Sequence, residues 1–409
     1  MKVLTLSTVF PNSAQPVHGL FVYERIRHAA QHADVRVVAP VSWFRPERSV
    51  ETSEVRNGLR IEHPKFFYVP GVLKVLDGLF LFLSILPAVY RLRRDFDFEL
   101  IDAHFGFPEG VAAVLLGRWF RRPVMITLRG SEHAFAEYRL RKAAIRWALT
   151  QATRVVAVSR ELGQLASELG VPPERIEIIE NGVDVNLFRP VARAEARRTV
   201  GIDGDAQVLI SVGHLVPLKG FHRMIQAVYD LRNEFPHLML VLVGGTASTS
   251  GSYPKQLRNL VDARGLTSRV IFPGSVPPER VAQWLNAADL FVLCSDREGC
   301  PNVLLESMAC GRPVVAPRVG AVADMVPPDT GILFDDPADA AALRRSLSQA
   351  LTTRWDEQRI RRRAESHTWG NVAVRVLQQW QICVYGAAEQ VPQPIAEEHE
   401  SEDAHAVRR

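Results

Sequence analysis

Twelve short runs of apolar, largely β-branched residues recur along this chain, and each is followed by a stretch long enough for a helix or a turn-rich connection. In the first half they are Val3–Leu6, Val35–Ala39, Leu100–Ala103, Val124–Thr127, Val155–Val158 and Ile176–Ile179. In the second half they are Val208–Val212, Leu238–Val243, Val270–Phe272, Leu290–Leu293, Val314–Ala316 and Ile332–Phe334. Runs that are apolar at nearly every position, instead of alternating, are strands buried on both faces; alternating with helices, they pair in parallel. The fold class is therefore α/β. A single (β/α)8 barrel would place eight strands in roughly 250 residues, and the break in the middle argues against it. Asn181–Pro190 is turn-rich, an Ala/Arg-rich helical stretch follows over Ala192–Thr199, and a new strand opens at Val208. Two doubly wound, Rossmann-like domains facing a central cleft are expected: residues 1–185 and 186–367, with a linker at about 181–200. Residues 368–386 read as a C-terminal helix crossing back to the first domain, with Trp369 and Trp380 on it. Residues 387–409 carry Pro, Glu, Asp and His with few bulky apolar side chains, a composition that reads as a disordered tail.

The segment Glu298-Gly299-Cys300-Pro301-Asn302-Val303-Leu304-Leu305-Glu306 carries the strongest chemical signal. Gly299 and Pro301 force a loop after a buried strand, and a helix is expected to start near Asn302, a residue type that caps helices well. Glu298 then lies in the loop at the C-terminal edge of the sheet, and Glu306 lies one turn inside the helix. The first amides of the helix, from Asn302, Val303 and Leu304, form with the helix dipole a cradle for phosphate. A carboxylate beside bound phosphate suits a vicinal diol, as in ribose recognition. Two glutamates at this spacing are common on solvated helix faces; the strand, loop and helix around them give the pair its meaning.

A second segment, Gly213-His214-Leu215-Val216-Pro217-Leu218-Lys219-Gly220, follows the strand Val208–Val212. Gly213 lets the backbone approach a ligand, and Lys219 offers a point charge to a phosphate. Gly244 and Gly245 end the next strand in the same manner.

In these segments the chain resembles glycosyltransferase family 4, the large retaining group with the two-domain GT-B fold. The match lies in Glu298-x7-Glu306, in the segment 213–220, in the linker from Asn181 to Pro190 and in Val270–Pro277, and it spans roughly residues 1–385. The resemblance implies that Glu306 holds the donor ribose, that Glu298 contacts the transferred sugar and that Lys219 neutralises the diphosphate. Val276 matches the region that holds the nucleotide base. The family's phosphate-binding arginine is His214 here, a shorter side chain that is only partly charged near neutral pH. Gly19 falls in a loop that faces the donor diphosphate from the first domain.

Other candidates lie in the first half. His104 ends the strand Leu100–Ala103, where it could donate to an acceptor or take its proton; a structural histidine is the competing reading. Thr127–Glu132 matches a family segment in which Arg129 stands where the family has histidine and Glu132 where it has aspartate. An arginine cannot act as a general base, so Arg129 is expected to bind an acceptor phosphate or the developing charge, and Glu132 to orient the loop. Asp95-Phe96-Asp97 looks like a metal-binding Asp-x-Asp but precedes its strand, so no essential metal is expected. The absence of G-x-G-x-x-G speaks against a nicotinamide cofactor, and no cofactor is expected.

Charge bears on partners. The net charge of +4 is too small for a nucleic-acid binder, but residues 1–190 hold 25 Lys and Arg against 20 Asp and Glu, leaving 24 against 25 in the rest. The basic first half suits an anionic acceptor or membrane surface. The apolar run Leu79–Leu86, short of the ~20 residues needed to span a bilayer, precedes Arg91, Arg93 and Arg94. Tyr138–Leu149 adds Arg139, Arg141, Lys142 and Arg146. Basic and apolar segments together point to peripheral contact with an anionic membrane; a core helix with a solvated basic face is the alternative. Four cysteines without metal-ligand spacing and an N-terminus that reads as a strand fit a cytoplasmic protein on the inner face of the membrane. The sequence reading is thus an enzyme, a hexosyltransferase-type glycosyltransferase. It moves a sugar from a nucleoside diphosphate sugar to a lipid-linked or oligosaccharide acceptor, in exopolysaccharide or other surface-glycan assembly. A sugar-nucleotide 2-epimerase and a non-catalytic nucleotide-sugar binder are the alternatives.

Overall fold

The structure is a computed structural model, and it describes residues 1–44, 50–69, 71, 73–247 and 249–386. The tail 387–409, read above as disordered, lies outside the described residues. All twelve apolar runs form strands, in two sheets.

The first sheet has eight strands. From edge to edge they are Ile176–Ile178, Arg154–Ala157, Val124–Leu128, Leu100–His104, Lys2–Leu6, Asp34–Val38, Leu59–Glu62 and Ser53–Arg56. All pairs are parallel except the last. That last pair is a hairpin turned by Asn57 and Gly58 at φ 48° and 80°. Asn-Gly matches a turn that needs positive φ at both central residues. The second sheet has six parallel strands in the order Val270–Gly274, Leu238–Val243, Gln207–Val212, Leu290–Val292, Val314–Pro317 and Gly331–Phe334.

Both sheets reverse direction of winding at their first strand. In the first domain the chain runs outward one way from Lys2–Leu6 and the other way from Leu100–His104. In the second it does so from Gln207–Val212 and Leu290–Val292. The crevice outside the C-terminal ends of such a strand pair is where open α/β sheets bind ligands.

The run Leu79–Leu86 lies within a 19-residue helix, Asp77–Asp95. The segment Lys74–Asp95 is long and apolar enough to cross a membrane by length and composition, more than the short apolar run alone had implied. Here it buries Leu81, Ile85, Val89 and Leu92 on the sheet, beside helices Glu109–Phe120 and Arg139–Gln151. The helix Trp369–Tyr385 packs Trp369, Val372, Val376 and Trp380 on the opposite face of the first sheet, with Val22 and Ile26 of helix Leu20–Ala29. The two chain crossings between domains run side by side: the Val183 amide donates to the His367 carbonyl at 2.9 Å.

Candidate active site

The two loops at the second domain's switch point are stapled together by backbone and side-chain bonds. The turn Pro217–Lys219 receives the Asp296 amide on the Leu218 carbonyl at 2.9 Å. Arg223 donates to the Cys294 carbonyl at 2.7 Å and pairs with Asp296. Gly220 is at φ 64°, where a Cβ would lie 2.2 Å from the Cys294 carbonyl oxygen, so only glycine lets the loops touch. Gly244, at φ 154°, is forced in the same way by the Gly213 carbonyl.

This stapling puts the Lys219 ammonium on Glu298: Nζ donates to Oε1 at 2.6 Å, and the Ser295 hydroxyl donates to the same oxygen at 2.5 Å. The Lys219 stem passes over Gly213, where a Cβ would be 3.6 Å from Cε. Residues 79 apart in sequence thus meet. His214, just beyond, is exposed and makes no side-chain hydrogen bond among the described residues. Val276 sits half-buried after the strand that carries Gly274, whose carbonyl accepts from the Gly244 amide at 2.9 Å.

The helix after Glu298 spans Asn302–Ala309, and its cap is Pro301. Asn302 is therefore the first helical residue, not the cap expected from its type. Its side chain faces the first domain and accepts from Asn181 Nδ2 at 2.8 Å. The amides of Asn302 and Val303 find no acceptor among the described residues. The expected third free amide is not free: Leu304 N–H donates to the Pro301 carbonyl at 3.1 Å, and its side chain is fully buried in the core. Glu306 has no ion pair or side-chain hydrogen bond among the described residues, and burial pushes its carboxyl up to about 7.

The first-domain candidates are arranged differently from the expectation. His104 has no exposed surface, its Nδ1 accepts from Arg129 Nη2 at 2.9 Å, and Nε2 lies 3.4 Å from Asp102. Burial holds its imidazole down, to about 4, so it is neutral at physiological pH. Arg129 also points inward. Its Nη1 donates to Asn181 Oδ1 at 2.7 Å, its guanidinium stacks over the Phe21 ring at 5.3 Å, and it is 7% exposed. Both side chains are buried and turned toward each other: Arg129 spends one N–H of each terminal nitrogen on Asn181 and His104, and its Nε and the His104 Nε2 are buried without a hydrogen-bond partner among the described residues. Glu132 accepts the amides of Gly106, Arg129 and Gly130, which fixes the loop. Gly19 is buried at φ 71°, where a Cβ would meet the Val9 carbonyl at 2.4 Å. Asp97 is clamped by Arg122 at 2.7 Å and Arg93 at 2.8 Å.

Asn181 is the residue that pattern reading missed. It is 3% exposed and joins Arg129 of the first domain to Asn302 and the Cys300 carbonyl of the second. Its only signal in the sequence was its place at the start of the linker. Beside it, a Cβ on Gly299 would lie 2.3 Å from the Arg129 carbonyl oxygen. The two domains therefore meet backbone to backbone at the mouth of the site.

Two family models cover most of the chain: Glycosyltransferase Family 4 over residues 19–187 and Glycosyl transferases group 1 over residues 192–367. A D-inositol 3-phosphate glycosyltransferase of Thermomonospora curvata is 31% identical over 339 residues, covering 76% of each chain. The protein belongs to the group 1, family 4 glycosyltransferases. This glycosyltransferase is also 28% identical over 379 residues to TuaC, a putative teichuronic acid biosynthesis glycosyltransferase of Bacillus subtilis, across 88% of this chain and 90% of that one. Its fold is GT-B, and it superposes on Anabaena HepE in complex with UDP and glucose with a TM-score of 0.71 and 21% identity, covering 93% of this chain and 99% of the other.

Proposed function

We propose that this glycosyltransferase moves a sugar, with retention, from a nucleoside diphosphate sugar held by the second domain to an acceptor presented by the first. The observation that carries the reading is the Lys219–Glu298 contact at the second switch point, in the loop that leads into the helix Asn302–Ala309 with Glu306, unpartnered among the described residues, one turn inside it. Lys219 and the amides of Asn302 and Val303 take the diphosphate, since an ammonium and a helix N-terminus both favour anionic oxygen. Glu306 accepts the ribose diol, and Glu298 accepts sugar hydroxyls once Lys219 turns to the phosphate. HepE, of the same fold, binds UDP and glucose, which favours this class of donor. Front-face displacement, in which the leaving phosphate receives the acceptor proton, needs no protein base; an inward-facing His104 and Arg129 suit it.

TuaC is named for teichuronic acid biosynthesis, and a bacterial surface glycan is our reading of the product. The reaction then takes place in the cytoplasm, at the inner face of the membrane. The basic and apolar helices of the first domain support that location. The test is thermal stabilisation by a panel of nucleotide sugars. One of them should raise the melting temperature of the wild type and leave Glu306→Ala unmoved. Equal stabilisation of both proteins would remove Glu306 from the donor site.

A further inference from the structure

Beneath helices Leu20–Ala29 and Trp369–Tyr385, the first sheet carries buried charges that the donor site does not use. Asp102, in register with Met125 on the neighbouring strand, faces the side of the sheet where Met125, Ile26 and Trp380 pack. It has no exposed surface, and neither of its oxygens has a hydrogen bond among the described residues. His104 lies two residues on, on the same face. Its Nε2 is 3.4 Å from Asp102 Oδ2, and its Nδ1 accepts from Arg129. Arg25, 1% exposed, comes down from the first helix. Its Nη2 donates to the Ile179 carbonyl at 2.8 Å and to the Glu180 carbonyl at 3.1 Å. Its Nε and Nη1 are buried without partners among the described residues. Arg25 and Arg129 together therefore hold three consecutive residues, 179 to 181, where the chain leaves the first domain. Burial lowers both guanidiniums, Arg129 further because of Arg25, and Asp102 pulls both back. Stability alone does not favour such a cluster, since buried ions with unpartnered atoms cost more than apolar side chains of the same volume.

We propose, on the donor placement of the preceding section, that Asp102, His104, Arg25 and Arg129 form a socket that fixes Asn181 and, through it, aligns the donor helix with the first domain for transfer. They are positioning residues, and each acts through the next. A neutral imidazole that accepts on Nδ1 carries its proton on Nε2, and a carboxylate beside Nε2 favours that tautomer. His104 in turn fixes the Arg129 fork. A guanidinium only donates, so Arg129 holds the Asn181 amide one way round: Oδ1 to the first domain and Nδ2 to the second. Asn181 Nδ2 then donates to Asn302 Oδ1 at 2.8 Å and to the Cys300 carbonyl at 3.3 Å, and its backbone amide to Cys300 Sγ at 3.4 Å. Cys300 and Asn302 flank Pro301, the cap of the donor helix. A turn of the Asn181 amide would break both sides of this grip at once. A shift of about 1 Å between reacting groups can cost about 100-fold in rate, even when its cause lies far from the chemistry.

Arg129→Met keeps most of the side-chain volume and leaves Arg25 and Asp102 as one cation and one anion, so the first domain should stay folded. His104→Leu removes the acceptor for Arg129, and His104→Asn restores one close to the place of Nδ1. The first measurement needs no ligand. Hydrogen exchange of segments 179–183 and 299–304 should quicken about tenfold or more in Arg129→Met, Asn181→Ala and His104→Leu, the scale of one lost bond to a charged group. It should return toward the wild-type rate in His104→Asn. The second measurement is nucleoside diphosphate release from UDP-glucose, UDP-N-acetylglucosamine and GDP-mannose. In the same three variants kcat should fall about 10- to 100-fold, while KM for the donor stays within about twofold and the donor still raises the melting temperature. Arg129→Met/Asn181→Ala should lose no more than either change alone, because both cut one chain of contacts. Exchange and kcat at wild-type values, additive losses in the double variant, or a His104→Asn no better than His104→Leu would overturn the socket. A melting-temperature shift that survives Glu306→Ala would instead defeat the donor placement, and with it the socket's part in transfer.

Discussion

Lys219 and Glu298 bridge the two loops that follow the strands of the second domain's switch point, with Nζ 2.6 Å from Oε1. Thr8 and Glu109 bridge the corresponding loops of the first domain. The same winding therefore puts a donor and a carboxylate at the same place twice. Only the second pair carries full opposite charges with part of each side chain in solvent, 23% for Lys219 and 10% for Glu298. It is the pair that a charged ligand can open.

From that exposure follows a separation of activity from stability. Lys219→Ala should lower turnover about 100-fold, the scale of one removed oxyanion donor. It should lower folding stability by about 1–3 kcal/mol, the scale for a part-buried charged group that loses one partner, and leave the domain folded. Glu298 keeps its bond from Ser295 in the variant. Nucleoside diphosphate release and a denaturant melt measure the two quantities. Turnover at the wild-type rate would defeat the assignment of Lys219.

The contact between the Gly130 and Gly299 loops gives a second outcome. Gly299→Ala places a methyl group against the Arg129 carbonyl, and neither backbone can recoil without parting the domains. We expect both domains to stay folded, the radius of gyration in X-ray scattering to rise, and turnover to fall by about tenfold or more, since catalysis depends on the fit between the two halves. An unchanged scattering profile with unchanged turnover would show that the loops are free to separate.

The sequence made the parallel strands legible because each run is apolar at all positions but one at most, a pattern that suits a doubly covered sheet. The position of Lys219 and Glu298 in loops after strands, and of Glu306 in the helix that follows, was legible because loop glycines and prolines mark strand ends. The hairpin Ser53–Arg56 and Leu59–Glu62 was overlooked although Asn57-Gly58 announces it, because its strands alternate and the search favoured continuous apolar runs. His104 and Arg129 stayed open in the sequence for a different reason. Residue type says that imidazole and guanidinium can meet substrate; only packing shows that here they meet each other and Asn181.

Glu109 provides a pH prediction. It is 1% exposed, and burial raises its carboxyl from 4.5 to about 7 against the pull of its bonds from Thr8. The folded state therefore holds the proton over a range in which the unfolded chain has lost it. The stability this contributes is fully present below pH 4.5 and is lost as pH rises through 7. Glu109→Gln cannot ionise. Wild-type stability relative to this variant should fall by about 3 kcal/mol between mildly acidic and mildly basic pH, at 1.36 kcal/mol per unit. Denaturant melts across that range measure the difference, and a flat one would mean that Glu109 is ionised throughout.

The last prediction concerns the membrane. Helix Asp77–Asp95 buries one stripe on the sheet but leaves Leu79 and Leu83, one turn apart, 40% and 54% exposed. Trp119, 62% exposed, packs at 6.4 Å from Phe82 of that helix, and Leu140, 68% exposed, opens the neighbouring basic helix. Arg121, Arg139 and Arg141 lie among these apolar side chains in sequence and on the same face of the sheet. Apolar side chains that reach below the headgroups and arginines that meet anionic lipid act together, at about 1 kcal/mol for each cation near the surface. The protein should co-sediment with vesicles rich in phosphatidylglycerol at low salt and should be released by salt. Leu79→Glu/Leu83→Glu should abolish binding while leaving nucleotide-sugar stabilisation intact, because neither side chain touches the second domain's site. Binding that is equal for neutral and anionic vesicles, or equal in the variant, would remove this face from any role at the bilayer.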